Sequence, residues 1–433
     1  MLVVTVSGYP EPMDSVLSWD VDDIDLSDLE FWRRPWNERE AAFAVLRRQR
    51  PVSFYTEPVI EGTSTLFPPG PGYWALTRHR DVATASRHPE VFLSGPGAVS
   101  ILDLPPELVE YFSGMISTDN PKHARLRRIV SNAFSPRHVR DVEDTIDRVA
   151  AEVVAAARTG GTGDFVVDVA APVPLRLVCE MMGVPASEFA TVLRCSNIIL
   201  SMGDPEFVPE GSDPVVAFIE AGATLTGIMH ELGAYRIKNP VDDITSALVN
   251  AEIESERLTE QELASFFVLL VVAGNETVRT ALAHSLLAFS EHPEQYARLA
   301  ADESVTASAV EEIVRWASPV IWMRRTLATD YTLSGVDLKA GDKVLLFYSS
   351  ANRDEEVFDD PFTFDVGRTP NDHYGFGAPG PHFCLGAHLA RREIASTWRR
   401  LIAEAPGVHA SGSPDPLLSS FINGIKHLPC ELR

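Results

Sequence analysis

A loop rich in glycine and proline surrounds one of the chain's four cysteines. It reads Phe376-Gly-Ala-Pro-Gly-Pro-His-Phe-Cys384-Leu-Gly386, and the next residues, AHLARRE, are typical of a helix start. Glycines let a backbone approach a large flat ligand closely, and the amides and positive end of a helix stabilise a thiolate. Such a thiolate could hold the iron of a haem. The alternative is that Cys384 is a small buried apolar residue, as most free cysteines are.

A second candidate site lies in a long apolar segment. Thr259 and Glu262 form a capping-box pattern, which predicts the start of a helix. This helix is apolar nearly all round, so it should cross the interior of the domain. Its middle carries Glu276 and Thr277. The Thr277 hydroxyl can bond the carbonyl of Ala273, which would bend the helix and open a groove for oxygen and water. The alternative is a core helix with one satisfied threonine and a snorkelling glutamate.

Two pairs of charged residues occur at helical spacing. His123 and Arg127 lie one turn apart on a helix predicted to begin near Pro121. Taken alone, they are better explained as a solvated basic face. Glu312 and Arg315 form an E-x-x-R pattern that can make a bidentate ion pair. That pattern also recurs by chance in many helices.

Taken together, these motifs resemble those of the cytochrome P-450 family, the haem-thiolate monooxygenases. His382, Cys384 and Gly386 match the haem-loop pattern F-x-x-G-x-H/R-x-C-x-G, and the segment AGNET matches the oxygen-activation pattern A-G-x-[DE]-T. The motifs also follow the order found in the family. One position departs from the pattern, because Phe376 lies eight residues before the cysteine where the common form has seven. The loop is therefore predicted to be one residue longer.

The resemblance implies a role for each candidate residue. It implies a haem b whose iron is bound by Cys384, and proton delivery to oxygen by Glu276 and Thr277. The other haem-binding residues that it implies are His123, Arg127, Arg325, His382, Ala273, Phe376 and Gly386. It also implies a structural triad on the proximal side of the haem, made of Glu312, Arg315 and Arg368. The pocket wall, by family position, would include Val272, Val320, Ile321 and Phe421.

The fold implied by the resemblance is mainly α with a small β-sheet region, in a single triangular-prism-like catalytic domain over residues 31–433. Strand-like patterns place the β subregion at about residues 50–80 and 325–350. Residues 1–30 are acidic and irregular, which predicts a loose tail. A polar stretch from Met202 to Pro214 interrupts two helical segments, and in the family such a loop joins helices that open and close over the substrate.

Composition narrows the classes of partner. The 433 residues carry 37 Lys and Arg against 61 Asp and Glu, a net charge of −24. This charge disfavours nucleic acids and anionic membrane surfaces as partners. Four scattered cysteines are too few for a disulfide framework or zinc cluster, which favours a reducing cytoplasm. The start of the chain lacks the basic region of a signal peptide. The longest apolar run, 266–273, is far shorter than the ~20 residues of a membrane span.

Several longer segments resemble one bacterial branch of the family, among them FFVLLVVAGNET, EEIVRWASPV with MRRT, SANRDE and HFCLGA with LARRE. That branch hydroxylates terminal methyl groups of methyl-branched lipids and sterol side chains. The resemblance implies a reaction that uses O2 and two electrons from a ferredoxin and its reductase. A monooxygenase of macrolide or terpenoid scaffolds is the alternative within the family. A peroxygenase is disfavoured by the intact Glu276–Thr277 pair, and a haem-binding sensor would need neither that pair nor an electron donor.

Six arginines predict a basic surface on an otherwise acidic chain. They are Arg391, Arg392, Arg399 and Arg400 after the cysteine loop, and Arg125 and Arg128 on the His123 helix. A patch of this kind would dock an acidic ferredoxin. The alternative is a set of scattered helix-surface charges.

Overall fold

Helices dominate the structure, as the family resemblance implies. The computed structural model describes residues 19–58, 70–133, 136–201, 204–251 and 257–433. The chain divides into two units. The first contains the described residues up to Pro106 together with His284–Cys384 and Leu418–Asn423, and the second contains Glu107–Ala283, Leu385–Leu417 and Gly424–Arg433.

A five-stranded sheet of order β1-β2-β8-β5-β3 organises the first unit. Its strands are β1 Val52–Tyr55, β2 Tyr73–Leu76, β3 Phe92–Leu93, β5 Trp322–Leu327 and β8 Lys343–Phe347. Strands β2 and β8 are parallel, and the other neighbours are antiparallel. A separate hairpin joins β6 Tyr331–Leu333 to β7 Val336–Leu338. Its turn is Ser334-Gly335, with φ of 48° and 83°, which matches the twist of the flanking strands.

Six described helices belong to the first unit. They are α1 Leu29–Arg33, α2 Trp36–Gln49, α3 His79–Arg87, α12 Pro293–Ala301, α13 Thr306–Ala317 and α14 Tyr348–Ala351. The predicted loose tail is wrong for its described part, residues 19–30. Ile24 and Leu26 are buried, and the Trp32 indole N–H donates to the Leu26 carbonyl at 2.9 Å. Apolar side chains between the acidic ones anchor this stretch. Residues 1–18 lie outside the described residues.

The second unit is largely helical. Its helices are α4 Pro106–Ser113, α5 Lys122–Ala133, α6 Pro136–Arg158, α7 Pro172–Met182, α8 Phe189–Ser201, α9 Pro214–Lys238, α10 Ile244–Asn250, α11 Glu260–Glu291 and α15 Ala387–Glu404. Helix α11 begins in this unit and ends in the first. The predicted capping box is present, because Thr259 Oγ1 accepts from the Glu262 amide at 3.1 Å and Glu262 Oε2 accepts from the Thr259 amide at 3.0 Å.

Short strands complete the second unit. A three-stranded sheet has the order β4-β12-β9, and β10 pairs with β11 in a hairpin. The bounds are β4 Thr162–Asp164, β9 His409–Ala410, β10 Asp415–Pro416, β11 Ile425–His427 and β12 Pro429–Glu431. The apolar core of this unit is formed mainly by α7, α8, α9 and α11. Hydrophobic burial against these neighbours stabilises α11, whose own sequence is too apolar for a surface helix.

Two described helices are long and apolar enough to cross a membrane by length and composition. They are α9 and α11, with mean hydropathy of 1.3 and 1.4 over their most apolar windows. In α11, 67% of that window is buried inside the protein. Core helices of soluble proteins pass the same test, so these helices are weak evidence for a membrane span.

Candidate active site

A backbone hydrogen bond closes the cysteine loop between two residues that are eight positions apart. The Cys384 amide donates to the Phe376 carbonyl at 3.0 Å, so the longer loop still pairs these two residues. Gly377 has a φ of 85°, a left-handed conformation that favours glycine. A Cβ on Gly380 would lie 2.3 Å from the Ser86 carbonyl oxygen. Both glycines are therefore required by the path of the backbone.

Cys384 differs from the other cysteines in exposure. All four cysteines lie in the described part of the chain, none forms a disulfide, and Cys384 alone is exposed. Burial raises the pKa of the Cys179 and Cys430 thiols to about 12 and also raises the pKa of the Cys195 thiol. A metal ligand must be a thiolate, which burial without a compensating charge disfavours. The exposed Cys384 is the thiol best suited to bind iron.

The middle of α11 is open on one side. Ala273 is exposed, and Val272, Gly274 and Thr277 are half-buried, although the adjoining turns of the helix are buried. A Cβ placed on Gly274 would meet no atom within 4 Å. The Thr277 hydroxyl donates to the Ala273 carbonyl at 2.8 Å, as the sequence predicts. The bond satisfies the hydroxyl where the helix faces open space.

The Glu276 carboxylate is held by a residue that the sequence analysis missed. It is almost fully buried and forms an ion pair with Arg279, three residues further along α11. Arg279 Nη1 donates to Asn197 Oδ1 of α8 at 2.8 Å. Burial raises the pKa of Glu276, and the charge of Arg279 opposes this shift. A carboxyl with a raised pKa can hold a proton closer to neutral pH, as proton delivery requires. The i,i+3 spacing from Glu276 was a signal for Arg279.

The structure brings Glu312, Arg315 and Arg368 together. Arg315 donates from Nε and Nη2 to the two Glu312 carboxylate oxygens, both at 2.7 Å. Arg368 Nε lies 3.2 Å from Glu312 Oε2. The backbone amide of Asp365 donates to Glu312 Oε1 at 3.0 Å. Glu312 and Arg315 have no exposed side-chain surface, so these bonds compensate for two buried charges.

We expect Arg315→Met to lower the free energy of unfolding by about 3–5 kcal/mol, because it leaves the Glu312 carboxylate buried and short of its main partner. Chemical denaturation of the variant and the parent protein measures this difference. Lys339→Met is a matched control, since Lys339 forms an exposed ion pair with Asp330. The control should change stability by less than about 0.5 kcal/mol. A small loss in Arg315→Met would contradict a structural role for the triad.

Glu312 should also make stability depend on pH. Burial alone would raise its pKa, but the hydrogen bonds and charge of Arg315, with the Asp365 amide and Arg368, outweigh burial and lower it below 4.5. A carboxyl with a lowered folded pKa contributes stability above its unfolded pKa and loses it as the pH falls through the folded value.

The predicted propionate-binding side chains belong to both units. In the first, Arg325 of β5 is buried and donates from Nη1 to the Arg324 carbonyl at 2.7 Å, and His382 is half-buried. In the second, His123 is buried and Arg127 half-buried, one turn apart on α5. Each of these predicted residues therefore sits in an ordered element or loop. Their joint action on a haem stays a prediction.

Three of the four predicted pocket residues come together in the first unit. The Ile321 amide donates to the Phe421 carbonyl at 2.8 Å, and Val320 forms a β-bridge with Ile422. The Ile321 and Phe421 side chains are buried, and that of Val320 is half-buried. Val272, on α11 of the second unit, is also half-buried. Val320 in the first unit and Val272 in the second each keep a partly open apolar surface.

Comparison with known proteins identifies the family. The cytochrome P-450 profile matches residues 234–403. The chain is 46% identical over 433 residues to the methyl-branched lipid omega-hydroxylase of Mycobacterium tuberculosis, a match that covers 99% of this chain and 98% of that protein. This chain belongs to the cytochrome P-450 family. This P-450 is also 39% identical to a steroid C26-monooxygenase of the same organism. That match covers 89% of this chain and 88% of the steroid C26-monooxygenase.

Solved structures agree with this assignment. A cytochrome P-450 of Mycobacterium marinum, determined in complex with pseudoionone, has a TM-score of 0.89 and 41% identity. The match covers 96% of this chain and all of that one. The mainly α fold with a small β-sheet region is therefore the cytochrome P-450 fold, and the protein is a monooxygenase. Its cofactor is a haem whose iron is bound by a cysteine thiolate.

The residues of this P-450 fit such a haem. The exposed Cys384 thiol lies two residues before Gly386, the N-cap of α15. A Cβ on Gly386, as on Gly274, would meet no atom within 4 Å, so both residues leave space for a large ligand. A helix of 18 residues that begins just after the thiol favours its ionised form.

Helix α15 of this P-450 holds a second buried carboxyl that the sequence analysis did not single out. Glu393 is buried, and burial raises its pKa to about 8. Its Oε2 has no hydrogen-bond partner among the described residues. Glu393 is therefore neutral over most of the physiological pH range. The sequence of the segment AHLARRE does not indicate that Glu393, rather than the residues beside it, faces the interior.

Proposed function

We propose that this cytochrome P-450 hydroxylates the terminal methyl group of a methyl-branched lipid, isoprenoid or sterol side chain. The observation that carries the proposal is the 46% identity to a methyl-branched lipid omega-hydroxylase over 99% of the chain. The 39% identity to a steroid C26-monooxygenase supports the same class. The reaction converts a methyl group, O2, two electrons and two protons into a primary alcohol and water.

Cys384 is proposed to bind the haem iron. When bound, the haem supplies the activation of O2 and the cleavage of the C–H bond, and the thiolate donates electron density that favours O–O cleavage. The chain supplies position, protons and exclusion of water. Arg325 and His382 from one unit, with His123 and Arg127 from the other, are proposed to neutralise the propionates. Phe376 and Gly386 are proposed to shape the loop around the thiolate.

Glu276 and Thr277 are proposed to move protons toward the oxygen site. The Thr277 hydroxyl is bonded to Ala273 but lies where α11 is open, so it can also bond a molecule beside the helix. The Glu276 carboxylate is instead bonded to Arg279 in this structure. Proton transfer therefore requires the carboxyl to exchange this partner for a water molecule or for the oxygen site.

Oxidation of a terminal methyl requires control by geometry. A terminal C–H bond is the strongest on an alkyl chain, so the enzyme must present only the chain end, and proximity and orientation can outweigh several kcal/mol of intrinsic preference. The proposed wall from Val272, Val320, Ile321 and Phe421 is apolar. Each additional buried methyl of a branched end adds about 0.8 kcal/mol. Branched ends should therefore bind more tightly than linear ones.

We expect methyl-branched lipids and sterols with an isopropyl-ended side chain to be bound more tightly than linear fatty acids of equal length. Each should give the terminal alcohol as the main product. Haem spectral titrations measure binding, and mass spectrometry of the products locates the hydroxyl. Predominant in-chain or ring hydroxylation would contradict the proposal and leave the monooxygenase assignment intact. The panel should include macrolides and pseudoionone, because a terpenoid or macrolide substrate is the main alternative.

A ferredoxin with its reductase is proposed as the electron donor. The predicted basic patch needs a correction, because several of its arginines face carboxylates. Arg392 lies 3.1 Å from Glu143, and Arg399 lies 3.7 Å from Asp147, both on α6. Arg125 is also engaged, since it donates to Glu262. The α15 pairs are half-exposed and worth little individually, so an acidic partner can replace the α6 carboxylates.

Ferredoxin-dependent reduction of Arg392→Glu should be slower by about ten-fold at low salt, and the difference should shrink as salt screens the charges. Stopped-flow reduction of the haem measures this rate. Arg33→Glu serves as the control, since Arg33 is equally exposed and pairs with Glu30 in the first unit. Equal rates for the two variants would exclude α15 as the docking surface.

Two further proposals concern the location of the enzyme and its domain organisation. We infer that the enzyme works in the cytoplasm, a proposal supported by four cysteines that form no disulfide. We also infer that residues 31–433 act as one catalytic domain, a proposal supported by relatives that match this chain over 98% or more of their own lengths. One assay distinguishes a monooxygenase from a haem-binding sensor and from a peroxygenase. Only a monooxygenase forms product with ferredoxin, reductase and O2 but without added peroxide.

A further inference from the structure

The described part of the loop between α8 and α9 begins with a turn whose carboxylates contact a lysine. The described residues of this loop are 204–213. Asp204 accepts from the Glu206 amide at 3.1 Å, which closes the turn. Lys426 Nζ lies 3.5 Å from Asp204 Oδ1 and 2.9 Å from Glu206 Oε2. Two carboxylates of one turn therefore share a single ammonium group.

Lys426 and His427 join this turn to two other elements. Both residues belong to β11, and Lys426 Nζ also lies 3.4 Å from Asp415 Oδ2 of β10. His427 Nδ1 lies 2.5 Å from Asp164 Oδ2 of β4, and its Nε2 lies 2.8 Å from Glu206 Oε1. The α8–α9 loop, the β10–β11 hairpin and β4 thus meet in one network of ion pairs.

The network is partly removed from water and contains more negative than positive groups. The Asp204 and Lys426 side chains are 4% and 12% exposed. Four carboxylates contact the two basic residues, and they are Asp164, Asp204, Glu206 and Asp415. Asp168 adds a fifth close by, since it accepts from the Asp164 amide at 2.9 Å. When one cation is lost from such a site, the neighbouring carboxylates, of which Asp204 is buried, are left to repel one another.

The same group of atoms resembles a metal site but already contains a cation. Ligand atoms of Glu206, Asp415 and His427 lie within 4.8 Å of one another. The Lys426 ammonium contacts both of these carboxylates, at 2.9 and 3.4 Å. Lysine therefore supplies the positive charge that a metal ion would bring. The cluster is an ion-pair network that ties the loop down.

We propose that Lys426 and His427 form a latch that holds the α8–α9 loop against the β10–β11 hairpin and releases it as the pH rises. Because this loop joins two helices beside the catalytic helix, release would admit substrate. That consequence rests on the proposed function, in which the enzyme takes up a large apolar molecule. The latch itself is a property of the folded chain and is tested without turnover.

The direction of the pH effect follows from the charges. The hydrogen bond to Asp164 is the main cause that raises the pKa of His427, burial opposes it, and Glu206 contributes further. Burial alone would raise the pKa of Glu206, but Lys426 and His427 outweigh it and lower that pKa. His427 is therefore charged below its raised pKa, and its contribution is lost as the pH rises through that value. Lys426, which contacts Asp204, Glu206 and Asp415, then remains as the charged basic residue of the network.

Hydrogen exchange of the haem-loaded enzyme tests the latch. At neutral pH, Lys426→Met and Glu206→Gln should each lower the protection of amides in 204–213 by about ten-fold, because the loop opens more often. Between about pH 6.5 and pH 9, the parent protein should lose protection beyond the known base-catalysed rise in exchange. His427→Gln should remove this additional pH dependence. Lys339→Met, which breaks an exposed pair elsewhere, is the control and should match the parent protein.

Several outcomes would overturn the proposal. One is unchanged protection of 204–213 in both Lys426→Met and Glu206→Gln. Another is a pH dependence in His427→Gln equal to that of the parent protein. Protection that increases when Mg²⁺ is added at matched ionic strength would assign the group as a metal site instead. If Lys426→Met fails to fold by circular dichroism, Glu206→Gln decides, since Glu206 lies on the loop and is one-third exposed. Failure of the latch leaves the product analysis of the proposed function unaffected.

Discussion

Cys384→Ser is expected to abolish turnover and the strongly red-shifted absorption of the reduced carbonyl complex. A serine hydroxyl is a far poorer donor than a thiolate, so the electronic effect on the haem is lost. The absorption spectrum of the reduced, carbon monoxide-treated protein measures this directly. The effect should be complete, because no other cysteine in the described chain is exposed.

Cys179→Ala and Cys195→Ala are the matched controls for the thiolate. Both cysteines are buried in the apolar core of the second unit. Each substitution removes a small buried group and should cost about 1–2 kcal/mol of stability through packing. The red-shifted band should nevertheless persist in both. Loss of the band in either control, in a protein that still folds and binds haem, would refute the assignment of Cys384.

Thr277→Ala should uncouple electron consumption from product formation. The hydroxyl that bonds Ala273 would be gone from the open side of α11, so proton delivery would fail while the haem and substrate still bind. Consumption of the reduced nicotinamide cofactor by the reductase should continue. The product formed per cofactor consumed should fall by about ten-fold or more, and hydrogen peroxide should rise.

Ser290→Ala separates this effect from loss of a helix-bending hydrogen bond. Ser290 lies on the same helix, and its hydroxyl donates to the Leu286 carbonyl at 2.7 Å. The two bonds therefore have the same i to i−4 geometry, but Ser290 lies outside the open middle of α11. Coupling in Ser290→Ala should equal that of the parent protein. If Thr277→Ala is also fully coupled, Thr277 is only a core residue of the helix.

Sequence alone was enough where a feature depends on neighbours within one turn. The capping box at Thr259 and Glu262 and the Thr277–Ala273 bond were both predicted, because backbone geometry places residues three or four apart together. The Glu312–Arg315 pair belongs to the same class. The third member of that triad, Arg368, came from the family resemblance, since 56 residues separate it from Glu312.

Only the tertiary structure decided which charged groups face one another over long separations. Arg279 meets Asn197, 82 residues away, and Lys426 meets Asp204, 222 residues away. The same applies to the α15 arginines. The sequence predicted that they form a basic patch, but carboxylates of α6 partly neutralise them. Apolar periodicity fixes which face of a helix is buried, but it does not specify the neighbour that covers it. A charge finds a distant partner only after those faces have packed, so the contacts of Lys426 and the bond from Arg279 to Asn197 could not be deduced from the sequence.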